Sequence, residues 1–231
     1  MGKRGKRTTL KRAAVSKSVP VHDKKERTWI IRPGAGTHPQ RRSIALGALL
    51  RDVLGIVETK RESRLLLSAR KVQVDGKVRT DEKYPVGFQD VVSLPEAELY
   101  YRITITAKGR LKPVEATSAD AGEKLLKVTR KDVNGKGRVA VTFHDGRNVL
   151  ADNNVRVGDS VKFSLREGKI AQLMKFGVNA KCLITDGKHA GLEAEIMKLF
   201  PSKGERPAEA LVKTGGGEFR TLAQYLFVTG E

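Results

Sequence analysis

The side chains that could perform catalysis or bind a metal are few in this sequence and lie far apart. The one cysteine, Cys182, opens a strand-like run and is predicted to be a small buried hydrophobe rather than a nucleophile. A single cysteine also excludes an intramolecular disulfide and a multi-cysteine zinc site. The histidines are interpreted as phosphate or loop contacts, or as exposed side chains, rather than as metal ligands: His22, His38, His144 and His189.

The sequence also lacks the motifs of the common catalytic and nucleotide-binding classes. It contains no G-x-x-x-x-G-K-[ST], no complete G-x-G-x-x-G, no G-x-S-x-G and no H-E-x-x-H. Gly215-Gly216-Gly217 precedes no helix start and is predicted to be a flexible hairpin connection rather than a phosphate cradle. We therefore expect no enzymatic activity, no cofactor, no metal and no small-molecule substrate.

Positive charge is the dominant chemistry of this chain. The 231 residues include 45 Lys plus Arg against 26 Asp plus Glu, a formal net charge of +19, which predicts a polyanionic partner. Hydrophobic residues make up 39% of the chain, enough to form cores. The longest apolar stretch, near Ile44 to Leu50, is far shorter than the roughly 18 to 20 residues that cross a bilayer, so no membrane partner is expected.

The excess charge is concentrated near the N-terminus. Basic and acidic residues number 13 and 2 in residues 1–42, 9 and 7 in 43–95, 16 and 10 in 96–176, and 7 and 7 in 177–231. We call residues 1–42 the leader; it has several turn formers and no helical or strand period, which predicts a basic extended arm that cannot fold alone. Its apolar group Trp29, Ile30 and Ile31 is expected to anchor it onto a folded neighbour. A solvated tail and a transit peptide are the alternatives.

Residues 43–95 are expected to form the first folded unit. Apolar residues at helical spacing predict a helix that Ser43 caps and that ends at Gly55. Thr59 and Glu62 have the spacing of a capping box at the start of a second helix. The apolar side of this second helix is predicted to be Leu65, Leu66 and Ala69.

A tight hairpin and a cluster of cations accompany these helices. Asp75-Gly76 lies between alternating apolar residues and predicts a turn with positive φ. Arg61 and Arg64 are expected to contact a phosphate backbone and to contribute little to stability. The predicted cradle comprises Arg51, Lys60, Arg61, Arg64, Arg70, Lys71 and Lys77.

This unit resembles the alpha-L-type RNA-binding module found in some ribosomal proteins, pseudouridine synthases and tyrosyl-tRNA synthetases. The resemblance lies in the runs at residues 49–54, 59–64, 72–77 and 86–92. Arg70 stands where the module usually has a glycine, so the turn before the first strand is expected to differ. The resemblance implies RNA binding by residues 43–95, which we call the alpha-L module.

The rest of the chain is predicted to be mainly β. In residues 96–176 alternation predicts strands around Ile103, Val141 and Phe163, together with a short helix over Ala119 to Leu126 capped by Ser118. In residues 177–231 four further short strands are expected.

A loop between the first two of these strands carries a second resemblance. Residues 186–191, Asp-Gly-Lys-His-Ala-Gly, are similar to the KOW motif, although Ala194 stands where that motif usually has another glycine. The resemblance implies a small, Src-homology-three-like β-barrel. Because residues 177–231 carry no net charge, we expect them to supply shape and backbone contacts rather than most of the affinity.

The order of these parts resembles the archaeal and eukaryotic family of small-subunit ribosomal protein four. The resemblance implies an α+β multi-domain chain divided at residues 1–42, 43–95, 96–176 and 177–231: basic arm, alpha-L module, β-rich centre and KOW-type small barrel. It also implies ribosomal RNA and neighbouring small-subunit proteins as partners, and a cytoplasmic location in that subunit. An archaeal source is favoured because the chain has no long C-terminal extension.

The residues predicted to contact RNA are mostly basic. They are Lys3, Arg4, Lys6, Arg7, Lys11, Arg12, His38, Arg41, Arg42, Arg51, Lys60, Arg61, Arg64, Arg70, Lys71, Lys77, Arg147, Lys188 and His189.

Two other functions are compatible with some of these features. One is a KOW-containing transcription or translation factor, and the other is an RNA-modifying enzyme. Pseudouridine synthases use an aspartate nucleophile, and Asp145 is the candidate, but Asp145-Gly146 favours a hairpin turn.

Overall fold

The computed structural model describes residues 9–21, 25, 27–133 and 139–230. These fall into two compact units. The first unit is drawn from Met1–Thr104 and Arg110–Ala121, and the second from Ile105–Gly109 and Gly122–Glu231. Among the described residues, no helix combines the length and the apolar composition needed to cross a membrane.

The first unit contains three antiparallel sheets and a short helical pair. Two sheets are strand pairs, β1 with β2 and β3 with β6, and the third has the order β5-β4-β7-β8-β9. The strands are β1 (Thr9–Lys11), β2 (Trp29–Ile31), β3 (Ser43–Ala45), β4 (Gln73–Val74), β5 (Lys77–Val78), β6 (Pro85–Gly87), β7 (Val91–Leu94), β8 (Leu99–Ile105) and β9 (Leu111–Glu115). The helices are α1 (Leu46–Ala48), which continues as a π-helical turn (Leu49–Val53), and α2 (Lys60–Ser68).

The first helix begins later than predicted. Ser43 does not cap it: the residue lies in β3, and its hydroxyl donates to the Pro39 carbonyl at 3.0 Å. Helical structure starts at Leu46 because β3 first pairs with β6, which buries all three residues of β3. The predicted end is confirmed, since Gly55 has a φ of +66° and follows Leu54, the C-cap of the π-helical turn.

The capping box that starts α2 is confirmed. The Thr59 hydroxyl accepts from the Glu62 N–H, and the Glu62 carboxylate accepts from the Thr59 N–H. The predicted apolar side is only partly right: Leu65 is 62% exposed, whereas Ser63 and Leu67 are buried. Helical spacing alone did not reveal that the small polar Ser63 shares the buried side.

The C-terminus of α2 explains the unusual Arg70. The Arg70 N–H donates to the Leu67 carbonyl and the Lys71 N–H to the Leu66 carbonyl, which is the pattern of a Schellman motif. This motif places Arg70 in the left-handed region, with a φ of +58°, where glycine is favoured. The expected difference in this turn is therefore wrong: Arg70 adopts the left-handed conformation that a glycine would take.

The Asp-Gly hairpin is confirmed. Asp75 and Gly76 have φ values of +51° and +71° and connect β4 to β5. Asp75 is also buried, and its carboxylate accepts the Val91 N–H at 3.0 Å, which ties the turn to β7.

The second unit contains two five-stranded antiparallel sheets, of order β12-β11-β10-β13-β14 and β18-β17-β16-β15-β19. Each surrounds a core of buried apolar residues. The strands are β10 (Glu123–Val133), β11 (Val139–Phe143), β12 (Asn148–Ala151), β13 (Ser160–Ser164), β14 (Lys169–Met174), β15 (Lys181–Ile184), β16 (Glu193–Phe200), β17 (Glu209–Thr214), β18 (Gly217–Leu222) and β19 (Leu226–Gly230). Gly215 and Gly216 form the turn between β17 and β18, as the hairpin interpretation predicted.

The helix predicted over Ala119 to Leu126 is wrong. One 3-10 turn (Asp120–Gly122) is followed directly by β10. The buried positions of β10 alternate as Lys124, Leu126 and Val128, a period of two. The lysine at an inward position concealed this strand pattern in the sequence.

Cys182 is a buried free thiol, as predicted. It lies in β15, and its Sγ donates to the Ala194 carbonyl at 3.2 Å. Burial raises the pKa of the Cys182 thiol to about 11, and only the nearby charge of Lys127 opposes this shift. The thiol is therefore neutral and poorly nucleophilic at physiological pH.

Candidate nucleic-acid interface

The described part of the leader packs on the alpha-L module. Ile30 and Ile31 are buried, which confirms the predicted anchor, but Trp29 is 53% exposed. The Gly34 N–H donates to the Lys83 carbonyl at 2.7 Å, and the Thr37 hydroxyl donates to the Pro85 carbonyl at 3.1 Å. The two strands of the leader, β1 and β2, pair with each other. This part of the arm is thus built against the module rather than left extended.

His38 is the clearest correction among the predicted RNA contacts. Its side chain is buried, and Nε2 lies 3.0 Å from Oδ1 of the buried Asp90. The other carboxylate oxygen of Asp90 accepts the Gly87 N–H at 2.9 Å. A Cβ on Gly87 would lie 2.4 Å from the His38 ring, so the ring packs directly on this backbone. His38 therefore holds the leader on the module and presents no surface to RNA.

Arg12 and Arg51 are also withdrawn from the surface. Arg51 makes a two-pronged contact with Asp52, both distances being 2.8 Å. The buried Arg12 approaches the same carboxylate, with Nη2 3.4 Å from Oδ1. One aspartate thus faces two arginines that were predicted to contact phosphate, because residues distant in sequence meet at the start of the module.

The cations on the basic side of α2 have two different roles: some form ion pairs within the protein, and others are free to contact an external phosphate. Arg64 contacts the buried carboxylate of Glu82 through two hydrogen bonds of 2.9 Å, and Lys60 approaches it at 3.5 Å. The Arg64 hydrogen bond is the main reason that the pKa of Glu82 is lowered. Arg61, by contrast, is exposed and forms no ion pair with any described residue.

The hairpin side of the cradle divides in the same way. Lys71 pairs with Glu96 at 2.6 Å, although both side chains are largely exposed. Lys77, the first residue of β5, is exposed and has no ion pair within the described residues. Arg61, Arg70 and Lys77 are therefore the cations of the module most available to an external phosphate.

The structure changes the expectation for the Arg61 and Arg64 pair. Arg61→Gln is expected to leave the melting temperature unchanged and to lower the slope of log K against log salt for RNA binding by about 0.7 to 0.9. Arg64→Gln is expected to lower the melting temperature, because it leaves Glu82 without its two-pronged partner.

The pH dependence of melting tests this difference. Since the pKa of Glu82 is lowered on folding, its ion pairs stabilise the chain above the ordinary value of 4.5, and this stabilisation is lost as the pH falls through the lowered value. The deficit of Arg64→Gln against the wild type should therefore shrink in acid. Equal melting of both variants at neutral pH would contradict this assignment.

The turn at Asp145 is confirmed as a hairpin turn. Gly146 has a φ of +79°, and the Arg147 N–H donates to Oδ1 of Asp145 at 3.1 Å. The buried Asp145 carboxylate is flanked by Nε of Arg147 at 3.0 Å and Nζ of Lys124 at 3.3 Å. Arg147, predicted to contact RNA, is partly buried in this cluster with its guanidinium 5.9 Å from the centroid of the Phe163 ring.

His144 and His189 have internal contacts. Nδ1 of His144 accepts the Lys127 N–H at 3.2 Å, and the ring lies edge-on to Phe227. His189 stacks on Phe219 with 3.9 Å between ring centroids. The neighbouring Lys188 is exposed. The loop at 186–191 therefore offers one exposed cation beside a stacked and partly buried histidine.

The sequence did not reveal that two lysines, although they add to the net charge, use their ammonium groups for contacts inside the second unit. Lys124 is buried against Asp145. Nζ of Lys127 donates to three backbone carbonyls, those of Ala223, Gln224 and Leu226, at 3.4, 2.9 and 2.6 Å. The available signal for Lys124 was its position two residues before Leu126 and four before Val128, on the same face of β10.

Several predicted RNA contacts do lie exposed. These are Lys11, Arg41, Arg42, Arg61, Arg64, Arg70, Lys71, Lys77 and Lys188. Lys3, Arg4, Lys6, Arg7 and His22 lie outside the described residues.

Comparisons with known proteins agree with this arrangement. A model of ribosomal family S4e matches residues 97–170, and a model of the S4 domain matches residues 49–92, inside the alpha-L module. The small ribosomal subunit protein eS4 of Methanothermobacter thermautotrophicus is 37% identical over 226 residues, covering 97% of this chain and 93% of that protein. The protein of the same name from Methanosphaera stadtmanae is 36% identical, covering 100% and 95%.

A solved structure shows the same relationship. The crystal structure of the 30S ribosomal protein S4e from Thermoplasma acidophilum has a TM-score of 0.71 and 31% identity, and the match covers 82% of this chain and 96% of that one. The relatives extend over nearly the whole chain at more than 30% identity, and the fold and the S4 domain agree with them. The chain therefore belongs to ribosomal family S4e.

Proposed function

We propose that this chain is a structural constituent of the small ribosomal subunit, where it binds ribosomal RNA and supports subunit architecture. The observation that carries the proposal is its similarity over nearly its whole length to proteins named small ribosomal subunit protein eS4. The S4 domain match at residues 49–92 supports RNA as a partner. The proposal places the chain in the cytoplasm, next to other small-subunit proteins, with no catalytic role.

The exposed cations of the first unit support a phosphate-binding mechanism. The alpha-L module exposes Arg61, Arg70 and Lys77, and the leader that packs on it exposes Lys11, Arg41 and Arg42. When protein cations replace the counterions on RNA, the binding affinity falls steeply as the salt concentration rises. Such phosphate contacts carry little information about the base sequence. Specificity would then come from the shape of the folded RNA and from several surfaces that engage together.

We further propose that the sheet of β15 to β19 is a small barrel of the KOW type. Loop 186–191 supports this, because Gly187 and Gly191 have φ values of +90° and +83° and Gly191 lies against backbone. Lys188 is exposed between them. In this proposal Gly191 seats the loop against the backbone of Thr106, and the exposed Lys188 supplies one cation to the RNA contact.

Co-sedimentation is the experiment that tests the function. The full-length chain, expressed with an affinity tag in an archaeal host, is expected to remain with small subunits through a high-salt wash. A transcription or translation factor, or an RNA-modifying enzyme, would be released by the wash. Recovery of the chain only in the wash fraction would overturn the proposal.

A further inference from the structure

One face of the C-terminal sheet carries an unbalanced row of charge. Cross-strand register places Lys181, Glu195, Lys213 and Glu218 side by side, so that opposite charges alternate across four strands. The next row on this face is Lys198, Leu211 and Arg220, which contains two cations and no acid. The net charge of zero in residues 177–231 therefore does not describe this part of the surface.

An aromatic ring holds the two cations of the unbalanced row together. Phe200 ends β16, and the Arg220 guanidinium lies 4.9 Å from its ring centroid. Nζ of Lys198 lies 5.5 Å from the same centroid. Because β17 separates β16 from β18, Arg220 must reach across a strand to make this contact. Cation–π contacts with one ring orient both side chains before any ligand binds, which reduces the entropy lost on binding.

No carboxylate neutralises these cations among the described residues. Lys198 and Arg220 are exposed and form no ion pair there, although Glu209 sits beside Phe200 in the register. The loop after β16 adds Lys203 and Arg206, which are exposed, pair with each other in a β-bridge and likewise have no ion pair with a described residue. These four cations outnumber the two acids of the same region, Glu205 and Glu209, neither of which forms an ion pair with them, so an external anion would stabilise the arrangement.

We propose that Lys198, Phe200 and Arg220, which we call the Phe200 patch, bind the phosphodiester backbone of ribosomal RNA as a second contact surface. This inference rests on the proposed function and deepens it. An exposed sheet face that carries two oriented cations suits a series of phosphates rather than a small ligand. The patch is also separate from loop 186–191, because the loop precedes β16 and Phe200 ends that strand. The seven steps from Glu193 to Phe200, at about 3.3 Å each, span about 23 Å along the strand.

The test uses full-length chains and a small-subunit ribosomal RNA transcript from Methanothermobacter thermautotrophicus, with binding measured across a salt series. Lys198→Gln with Arg220→Gln is expected to reduce the slope of log K against log salt by about 1.5, since each lost phosphate contact removes about 0.7 to 0.9. The matched control is Lys181→Gln with Lys213→Gln, which removes the same charge from the balanced row of the same face and should change the slope by less than about 0.5. All chains should melt at the same temperature, because the replaced side chains are exposed.

The outcomes separate this inference from the proposed function. If the wild-type chain fails to bind the transcript and fails to co-sediment with small subunits, the proposed function is wrong. If the wild type binds and both double variants have the same slope, the Phe200 patch does not bind RNA and the inference alone fails. If the slope is unchanged but Lys198→Gln with Arg220→Gln lowers incorporation into subunits, the partner of the patch is an acidic protein surface, which also overturns the inference.

Discussion

Asp145→Asn is expected to destabilise the second unit by about 3 to 5 kcal/mol, because it removes the carboxylate that faces a buried ammonium group. The side chains of Lys124 and Asp145 are both fully buried, with Nζ 3.3 Å from Oδ2. Asparagine keeps the shape of the side chain but removes its charge, so the loss is electrostatic rather than steric. A deficit of this size should lower the melting temperature by roughly 10 to 20 °C.

Two further variants show whether the buried charge is the cause. Lys124→Met should cost less than Asp145→Asn, because Asp145 keeps Arg147, whose Nε lies 3.0 Å away. The double variant should be more stable than Asp145→Asn alone, because it also removes the buried ammonium group. Calorimetric melting of the four full-length chains measures these differences. A double variant as unstable as the sum of both single variants would show that packing, not charge, governs the site.

Gly191→Ala is expected to destabilise the second unit by about 3 kcal/mol or more and to distort loop 186–191. A Cβ at this position would lie 1.9 Å from the carbonyl oxygen of Thr106 and 2.3 Å from its carbonyl carbon. These are backbone atoms, so no side-chain rotation can relieve the overlap. The φ of +83° adds the usual penalty for a left-handed residue with a side chain.

Gly204→Ala is the matched control for this clash. Gly204 also has a positive φ, +59°, but a Cβ added there would meet no atom within 4 Å, so only about 1 kcal/mol is expected. Both variants are compared by chemical denaturation and by hydrogen exchange at the amides of residues 186–191. Gly204→Ala reports the cost of a positive φ alone, and Gly191→Ala reports that cost together with the steric overlap with Thr106. Equal destabilisation of the two variants would mean that the approach of Gly191 to Thr106 is readily relaxed.

Local sequence patterns predicted local structure well. The capping box at Thr59 and Glu62 and the Asp75-Gly76 turn each depend on a few neighbouring residues, and both form as expected. Most strands follow from alternation, because side chains on a strand point to opposite faces. Two exceptions are informative. Strand β18 (Gly217–Leu222) was not among the four strands expected in residues 177–231. At the start of β10 a buried lysine takes an inward position and conceals the period.

The roles of the charged residues could not be read from the sequence in the same way. Arg61 and Arg64 lie on one helix, yet only Arg64 meets Glu82, 18 residues further along the chain. His38 meets Asp90 across 52 residues. Each pairing depends on which distant segments the fold brings within about 3 Å, and no local period encodes that.

The sequence by itself determined the family, the alpha-L module and a large excess of positive charge. Only the tertiary structure decided which cations remain available to a partner, because a charge acts through its burial and its nearest counter-charge. Lys124 is buried against an aspartate, whereas Lys198 and Arg220 converge on Phe200 in a segment whose net charge is zero. The composition gives the number of charges, whereas the fold determines how exposed each charge is and which group lies next to it.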